Sequence, residues 1–341
     1  MLWEKVKGLA FEVGEVTTSV AAIPISPEFE RRTTTVRIAG SAGEGLGEDV
    51  TYDPAAHDAL EFPSIDLRGE WTLESLADHL DSVDLFPNVA AAQPAYRDYR
   101  RWAFESAALD YALRSNGTNV ADALGRKPQP VRFVSSNRTC EPWLELYPGL
   151  RFKLDPTPEW SDEFVERLAA RDVVDVADLK GQYHGTPVDN PPDPMLYRRV
   201  AEAFPHAWIE DPALTPETDR VLEPHRDRIT WDAPIHSWAD VEALAFPPRC
   251  LNCKPSRFGR LSRLLEFYER CEEHGIALYG GGQFELGVGR GQIQALASLF
   301  HADAPNDVAP GGYNEPVARA GLETSPLEPR LAPLGFRRGV G

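Results

Sequence analysis

Lys153, Asp178, Glu210, Asp232 and Lys254 each close a short apolar run, and successive members stand 25, 32, 22 and 22 residues apart. Three carboxylates flanked by two amines form an acid/base set built around a cation. Carboxylates brought to one point repel each other unless positive charge sits among them. Oxygen-only ligands that leave room for water and substrate suit Mg2+ better than zinc, which makes Asp178, Glu210 and Asp232 the candidate metal ligands. A lysine crowded by a metal and a second cation has its neutral form favoured, as a general base near pH 7 requires. An Asp after a strand also serves as a helix N-cap, and lysines beside carboxylates also form structural ion pairs. For one residue those roles compete well; five in one register favour a reactive site.

Side chains spaced in this way need parallel strands that deliver one group each. A β/α barrel uses roughly 31 residues per strand and helix and keeps its active groups at the carboxyl ends of the strands. From Val131 onward short apolar runs alternate with helical stretches. The runs are Val131–Val134, Leu150–Leu154, Val173–Leu179, Ala207–Ile209, Ile229–Trp231, Cys250–Cys253 and Ala277–Tyr279, and the helices include Ser161–Ala170, Pro194–Ala203 and Ser256–Glu273. That alternation predicts a parallel sheet closed into a barrel. On the third strand of the series Asp175 competes with Asp178 as the ligand, and Asp178 fits the unit length better. In a strand, residues two apart share a face, so Arg151 is expected to point inward with Lys153, and Lys180 to share the face of Asp178.

The first hundred residues read differently. Phe11–Val20 and Thr33–Ile38 are strand signals, and a Gly40–Gly43 turn leads through Gly45 and Gly47 to Val50, giving a small antiparallel sheet. Ala22–Phe29, apolar and twice interrupted by proline, is expected to be a loop closing over something, with Ile23 and Phe29 as substrate contacts. Together with Glu48–Tyr52 it is where specificity should lie. Helices are predicted at Thr72–Leu80, with Thr72 as N-cap, and at Tyr99–Arg114. The tail after Tyr313 either wraps back over the first domain or is partly disordered.

Composition narrows the partners. The chain has 341 residues with 35 basic and 53 acidic side chains, a formal charge of −18 that repels nucleic acid and anionic lipid alike. No run approaches a membrane span and no signal-peptide core is seen, so the expectation is a cytoplasmic protein. Cys250 and Cys253 form a CxxC, yet they lie in a strand and without a second ligand pair, which favours apolar packing over zinc or redox chemistry. Gly287-Val-Gly289-Arg-Gly291 ahead of a helix reads weakly as an anion-binding loop. Glu285 is placed near the barrel mouth, and His236 is the histidine nearest to it.

These pieces together resemble the enolase superfamily, and within it the muconate-lactonizing-enzyme subgroup with its o-succinylbenzoate synthases, dipeptide epimerases and N-acylamino-acid racemases. The matching segments are Arg151-Phe-Lys153 for a Lys-x-Lys motif, Asp178, Ile209-Glu-Asp-Pro212, Trp231-Asp232, and Lys254-Pro-Ser-Arg-Phe-Gly259. Gly280–Gly287 resembles the seventh-strand segment and Gly43–Glu48 the turn of the capping domain. The resemblance implies an α/β fold: an α+β capping domain over 1–127, with the tail 313–341 returning to it, on a modified TIM barrel, (β/α)7β, over 128–312. It implies Mg2+ and a small carboxylate substrate whose α-proton is removed through an enediolate, with Lys153 and Lys254 as acid and base. Arg151, Lys180, Glu285, Ile23 and Phe29 are the expected substrate contacts. The outcome is racemisation or epimerisation, or cycloisomerisation, with β-elimination of the o-succinylbenzoate-synthase type as the alternative; a homo-oligomer is left open. Arg151 in place of lysine, Ala233 in place of the usual Glu, and the extra Lys180 depart from the pattern. They keep in play a non-catalytic barrel used as a binding protein.

Overall fold

The computed structural model describes residues 1–27, 29–60, 65–136, 140–186 and 188–339. The N-terminal elements are α1 (Leu2–Val6), β1 (Ala10–Val13), β2 (Glu15–Ser26), β3 (Phe29–Gly40), β4 (Gly43–Asp49), α2 (Pro54–Asp58), β5 (Gly69–Thr72), α3 (Leu73–Ser82), α4 (Ala95–Ser115) and α5 (Val120–Leu124). Strands β2, β3 and β4 pair antiparallel in that order, and β1 pairs with β5.

Alternation along β4 seats the long helix α4. A Cβ on Gly45 would lie 2.2 Å from the carbonyl oxygen of Ala107, and one on Gly47 would lie 2.0 Å from that of Ala103. Glycine at alternate positions therefore lets the helix backbone touch the strand. The same seam holds a buried ion pair, Arg100 Nε to Asp49 Oδ2 at 2.8 Å. Helix α3 starts from the expected cap, with the Thr72 hydroxyl accepting from Ser75 N at 3.1 Å.

The Ala22–Phe29 segment, expected as a loop, is mostly hairpin: β2 continues to Ser26, which pairs with Phe29, while Glu28 lies outside the described residues. Pro24 is tolerated because β2 is the edge of its sheet, and the register shifts between Pro24 and Ser26. The run Phe11–Val20 is two strands separated at Gly14, with β1 turning away to meet β5.

The second domain follows as α6 (Cys140–Leu146), β6 (Phe152–Leu154), α7 (Asp162–Arg171), β7 (Val174–Asp178), α8 (Pro194–Ala203), β8 (Trp208–Glu210), α9 (Pro216–Leu222), β9 (Ile229–Thr230), α10 (Trp238–Glu242), β10 (Cys250–Cys253), α11 (Pro255–Phe258), α12 (Leu261–His274), β11 (Ala277–Gly280) and α13 (Val288–Phe300). Strands β6 to β9 form one parallel ladder and β10 with β11 another. Scattered bonds, rather than ladders, make the remaining seams. Asn252 N donates to Trp231 O at 3.0 Å, Ser135 N to Arg151 O at 2.9 Å, Val134 N to Asn306 O at 2.8 Å and Asp307 N to Gly280 O at 2.7 Å. With residues 131–135 and 306–307 as first and last segments, the ring is a (β/α)7β barrel. Cys250 and Cys253 are buried in β10, where desolvation pushes both thiols up to about 12; they fill space there, as expected for inert thiols.

The tail returns to the first domain. Phe336 is buried edge-on to Trp102, Gly335 N donates to Thr118 O at 2.9 Å, and Arg337 pairs with Asp110 at 2.5 Å. Residues 340 and 341 lie outside the described residues. Among the described residues, no helix is long and apolar enough to cross a membrane.

Candidate active site

Lys153, Asp178, Glu210, Asp232 and Lys254 stand at the carboxyl ends of their barrel strands. Lys153, buried in β6, donates to Glu210 Oε1 at 2.5 Å and lies 3.2 Å from Asp178 Oδ2. Asp178 and Glu210 are the last residues of β7 and β8, directly paired in register. Glu210 also accepts from Asn252 Nδ2 at 3.2 Å and from the Tyr279 hydroxyl. Asp232, just beyond β9, accepts from Lys254 Nζ at 2.7 Å, Arg257 Nε at 3.1 Å and the Tyr183 hydroxyl at 2.8 Å. The two lysines therefore grip different acids: Lys153 the Asp178/Glu210 side, Lys254 the Asp232 side.

The electrostatics follow from burial. Desolvation pulls the Lys153 ammonium down, but Glu210 and Asp178 outweigh it and hold it well above the usual lysine range. Burial raises Asp178 and Asp232, yet their cationic neighbours win and leave both below the usual carboxylate range. Glu210 is pushed upward by burial and by Asp178 against the pull of Lys153.

Not every expected residue joins this cluster. Arg151 sits two residues earlier on its strand, roughly 7 Å lower. It pairs there with Asp175 at 2.6 Å, which Arg132 holds from the other side at 2.9 Å. Asp175 thus belongs to the barrel floor, and Asp178, rather than Asp175, meets Glu210. Lys180 turns into the site against Asp178 instead of lying on the surface. Glu285 accepts from Gln283 N at 2.6 Å and faces Arg290 at 3.3 Å. Ile23 is 39% exposed on the β2–β3 hairpin, which Phe29 opens on the β3 side. The His236 ring bridges the carbonyls of Ala233 and Arg257 at 3.2 and 3.0 Å.

Sequence reading missed five contributors. Asp211 accepts from the backbone N–H groups of Asp232 and Ala233 at 2.8 and 2.9 Å, fixing the end of the next strand. Asn252 and Arg257 lie in the segment around Lys254, where period-two alternation and the Lys-Pro-Ser-Arg run were available as signals. Tyr279 ends an apolar run. Tyr183 lies in the irregular segment between β7 and α8, and nothing in the sequence marks it.

Oxygens of Asp178, Glu210 and Asp211 lie within 4.8 Å of one another, all three residues buried. A set of hard carboxylate oxygens fits Mg2+. Asp232, expected as the third ligand, faces this group from the neighbouring strand end, with its oxygens turned to Lys254, Arg257 and Tyr183.

Residues 127–315 match the family described as the domain of unknown function (DUF8230) C-terminal domain, and residues 4–123 match its N-terminal domain. Among curated proteins, o-succinylbenzoate synthase of Bacillus subtilis (strain 168) is 27% identical over 222 residues, 60% of this chain and 57% of that protein. The chain thus spans little more than half the length of that relative. N-succinylamino acid racemase of Amycolatopsis sp. is 27% identical over 300 residues, 80% of this chain and 77% of that protein. Among solved structures, a dipeptide epimerase from Methylococcus capsulatus complexed with Mg ion gives a TM-score of 0.63 at 21% identity, covering 91% of this chain and 92% of that one. Muconate lactonizing enzyme from Pseudomonas putida gives 0.60 at 20% identity, covering 84% and 83%. The chain belongs to the DUF8230 family and shares its fold with these two enzymes.

Proposed function

We propose that the chain is a Mg2+-dependent enzyme that removes the α-proton of a small carboxylate substrate through an enediolate, with racemisation, epimerisation or cycloisomerisation as the outcome. One observation carries the reading: two buried ammonium groups, Lys153 and Lys254, approach one acidic cluster from different strands. Asp178, Glu210 and Asp211 would hold the ion, with Asp232 beside them. When bound, Mg2+ would supply positive charge that offsets the second negative charge of the enediolate. Lys153 then takes the α-proton on one face, and Lys254, tied to Asp232, delivers or removes it on the other. Arg257 and Tyr183 keep the Asp232 carboxylate turned toward Lys254.

The β-elimination reading rests on the similarity to the B. subtilis o-succinylbenzoate synthase. In it one lysine serves in turn as base and as acid toward the leaving hydroxyl. Solvent deuterium exchange at the α-carbon, followed by NMR over N-acylamino acids and dicarboxylates with Mg2+, tests both readings. Exchange lost in Lys153→Ala and in Lys254→Ala is the expected result. Exchange that survives both substitutions overturns the two-lysine assignment, and exchange in one single variant points to the one-base elimination.

A further inference from the structure

Asp178 is held at both oxygens by one residue. The backbone N–H of Lys180 donates to Asp178 Oδ1 at 3.1 Å, and its ammonium contacts Asp178 Oδ2. The residue reaches back in this way because its backbone is left-handed, with φ of 56°. Lys153 contacts the same Oδ2 at 3.2 Å, so two ammonium groups share one carboxylate oxygen. Positive charge therefore already sits at Asp178, and a divalent ion placed beside it would meet an ammonium already there.

One of the two ammoniums must therefore give way. Lys153 is 3% exposed and bonded inward to Glu210 at 2.5 Å. Lys180 is 15% exposed, and a second carboxylate, that of Asp155 just after β6, lies 3.5 Å from its ammonium on the open side. Asp155 is 31% exposed, so an ammonium moved onto it gains water as well as an anion. The Tyr183 ring, 4.9 Å from the ammonium, supplies an aromatic face alongside.

We propose that Lys180 is a tethered, displaceable ammonium that competes with the divalent cation for Asp178, and that Asp155 is its seat when the cation is bound. This rests on the metal reading of the site given above. The competition makes cation binding an exchange of one positive charge for another at Asp178, so affinity is set by what Lys180 gives up as well as by what the ion gains.

Mn2+ titration followed by the EPR signal of the free ion tests this without reference to activity. Lys180→Met is expected to bind Mn2+ about tenfold more tightly than the wild type, the scale on which neighbours of metal ligands act. Asp155→Asn, which removes the outward seat, is expected to bind more weakly. Thermal unfolding gives a second readout. Without metal, Lys180→Met leaves buried carboxylates uncompensated and lowers Tm, and Mn2+ raises its Tm by more than it raises the wild-type value. If Lys180→Met does not fold, Lys180→Gln carries the same expectation. Affinity in Lys180→Met equal to or weaker than wild type, with Asp178→Asn abolishing binding, overturns the competition and leaves the metal site standing. No Mn2+ binding in any variant, wild type included, overturns the metal reading and this inference with it.

Discussion

Asp211, one of the three clustered carboxylates, also holds backbone that no cation reaches. Its backbone is left-handed, with φ of 50°, which turns the carboxylate onto the backbone N–H groups of Asp232 and Ala233. Both donors belong to the segment that carries Asp232 into the site. Removing the acceptor strands two donors at a buried strand end, at a cost of order 1 kcal/mol or more each. Asp211→Ala is expected to lose about 2 kcal/mol in urea unfolding at pH 7, and Asp211→Asn less than half of that, since Asn keeps one acceptor oxygen and tolerates the left-handed backbone. Equal losses in both variants would mean that charge, rather than acceptor geometry, holds the strand end. At this scale the sequence was legible where a side chain ends a strand: Lys153, Asp178, Glu210, Asp232 and Lys254 all lie at the rim. It was silent where a side chain reaches the site by a tertiary path. Tyr183 arrives from an irregular segment, and Asp211 is hidden behind Glu210, its neighbour and a more obvious ligand.

Elements were legible to the extent that one period dominates them. Six of the seven apolar barrel runs became strands, buried along most of their length, while Val131–Val134 pairs through single bridges; α4 extended a turn beyond its expected start because Ala95 to Asp98 continue the helix without a breaker. The Ala22–Phe29 segment misled because two prolines argue against a strand, an argument that fails at a sheet edge where no neighbour needs the missing N–H. The barrel seams were invisible for another reason, since a few scattered hydrogen bonds per seam leave no periodic trace. One such seam has a pH signature. His301, at the C-terminal end of α13, donates from Nδ1 to Asn306 Oδ1 at 2.6 Å, and Asn306 in turn bonds Arg132 O and accepts from Gly280 N. Burial pulls the His301 imidazole down to about 4, against about 6.5 in an unfolded chain. Its folded value is depressed, so the unfolded state binds the extra proton first. The stability is complete above about 6.5 and is lost as pH falls toward 4. Between pH 7 and pH 5 this group alone removes about 2 kcal/mol. Urea unfolding of His301→Asn, which keeps the donor to Asn306, is expected to show a pH dependence shallower than wild type by that amount. A parallel pair of curves would show that the imidazole takes up its proton at the same pH in both states.

At the scale of the whole molecule, the weakly marked glycine loop Gly287–Gly291 does bind an anion, and the anion is part of the chain. Glu48 of the capping domain accepts from Leu286 N at 2.7 Å, Gly287 N at 2.9 Å and Gly289 N at 2.7 Å, at the N-terminus of α13. A Cβ on Gly289 would lie 2.8 Å from Glu48 Oε2, so the glycine makes room for the carboxylate. No local pattern could have named the partner, because 239 residues separate Glu48 from Gly287. Arg31 grips the same segment from β3, donating to Gln283 O at 2.7 Å and Phe284 O at 3.1 Å while holding Thr51 O and Val50 O of its own domain. The segment after β11 is therefore ordered by the capping domain, close to where Lys254 and Tyr279 enter the site. Glu48→Ala leaves three backbone donors without an acceptor and unclamps the segment, whereas the barrel ladders keep every bond they have. Amide hydrogen exchange at Leu286, Gly287 and Gly289 is expected to speed up about tenfold to hundredfold, as the loss of one to three net hydrogen bonds of about 1 kcal/mol each implies. Amides of β6 to β9 are expected to exchange at the wild-type rate. A uniform rise across both domains would instead identify Glu48 as a contributor to global stability, and unchanged rates at all three amides would remove it as the clasp between cap and barrel.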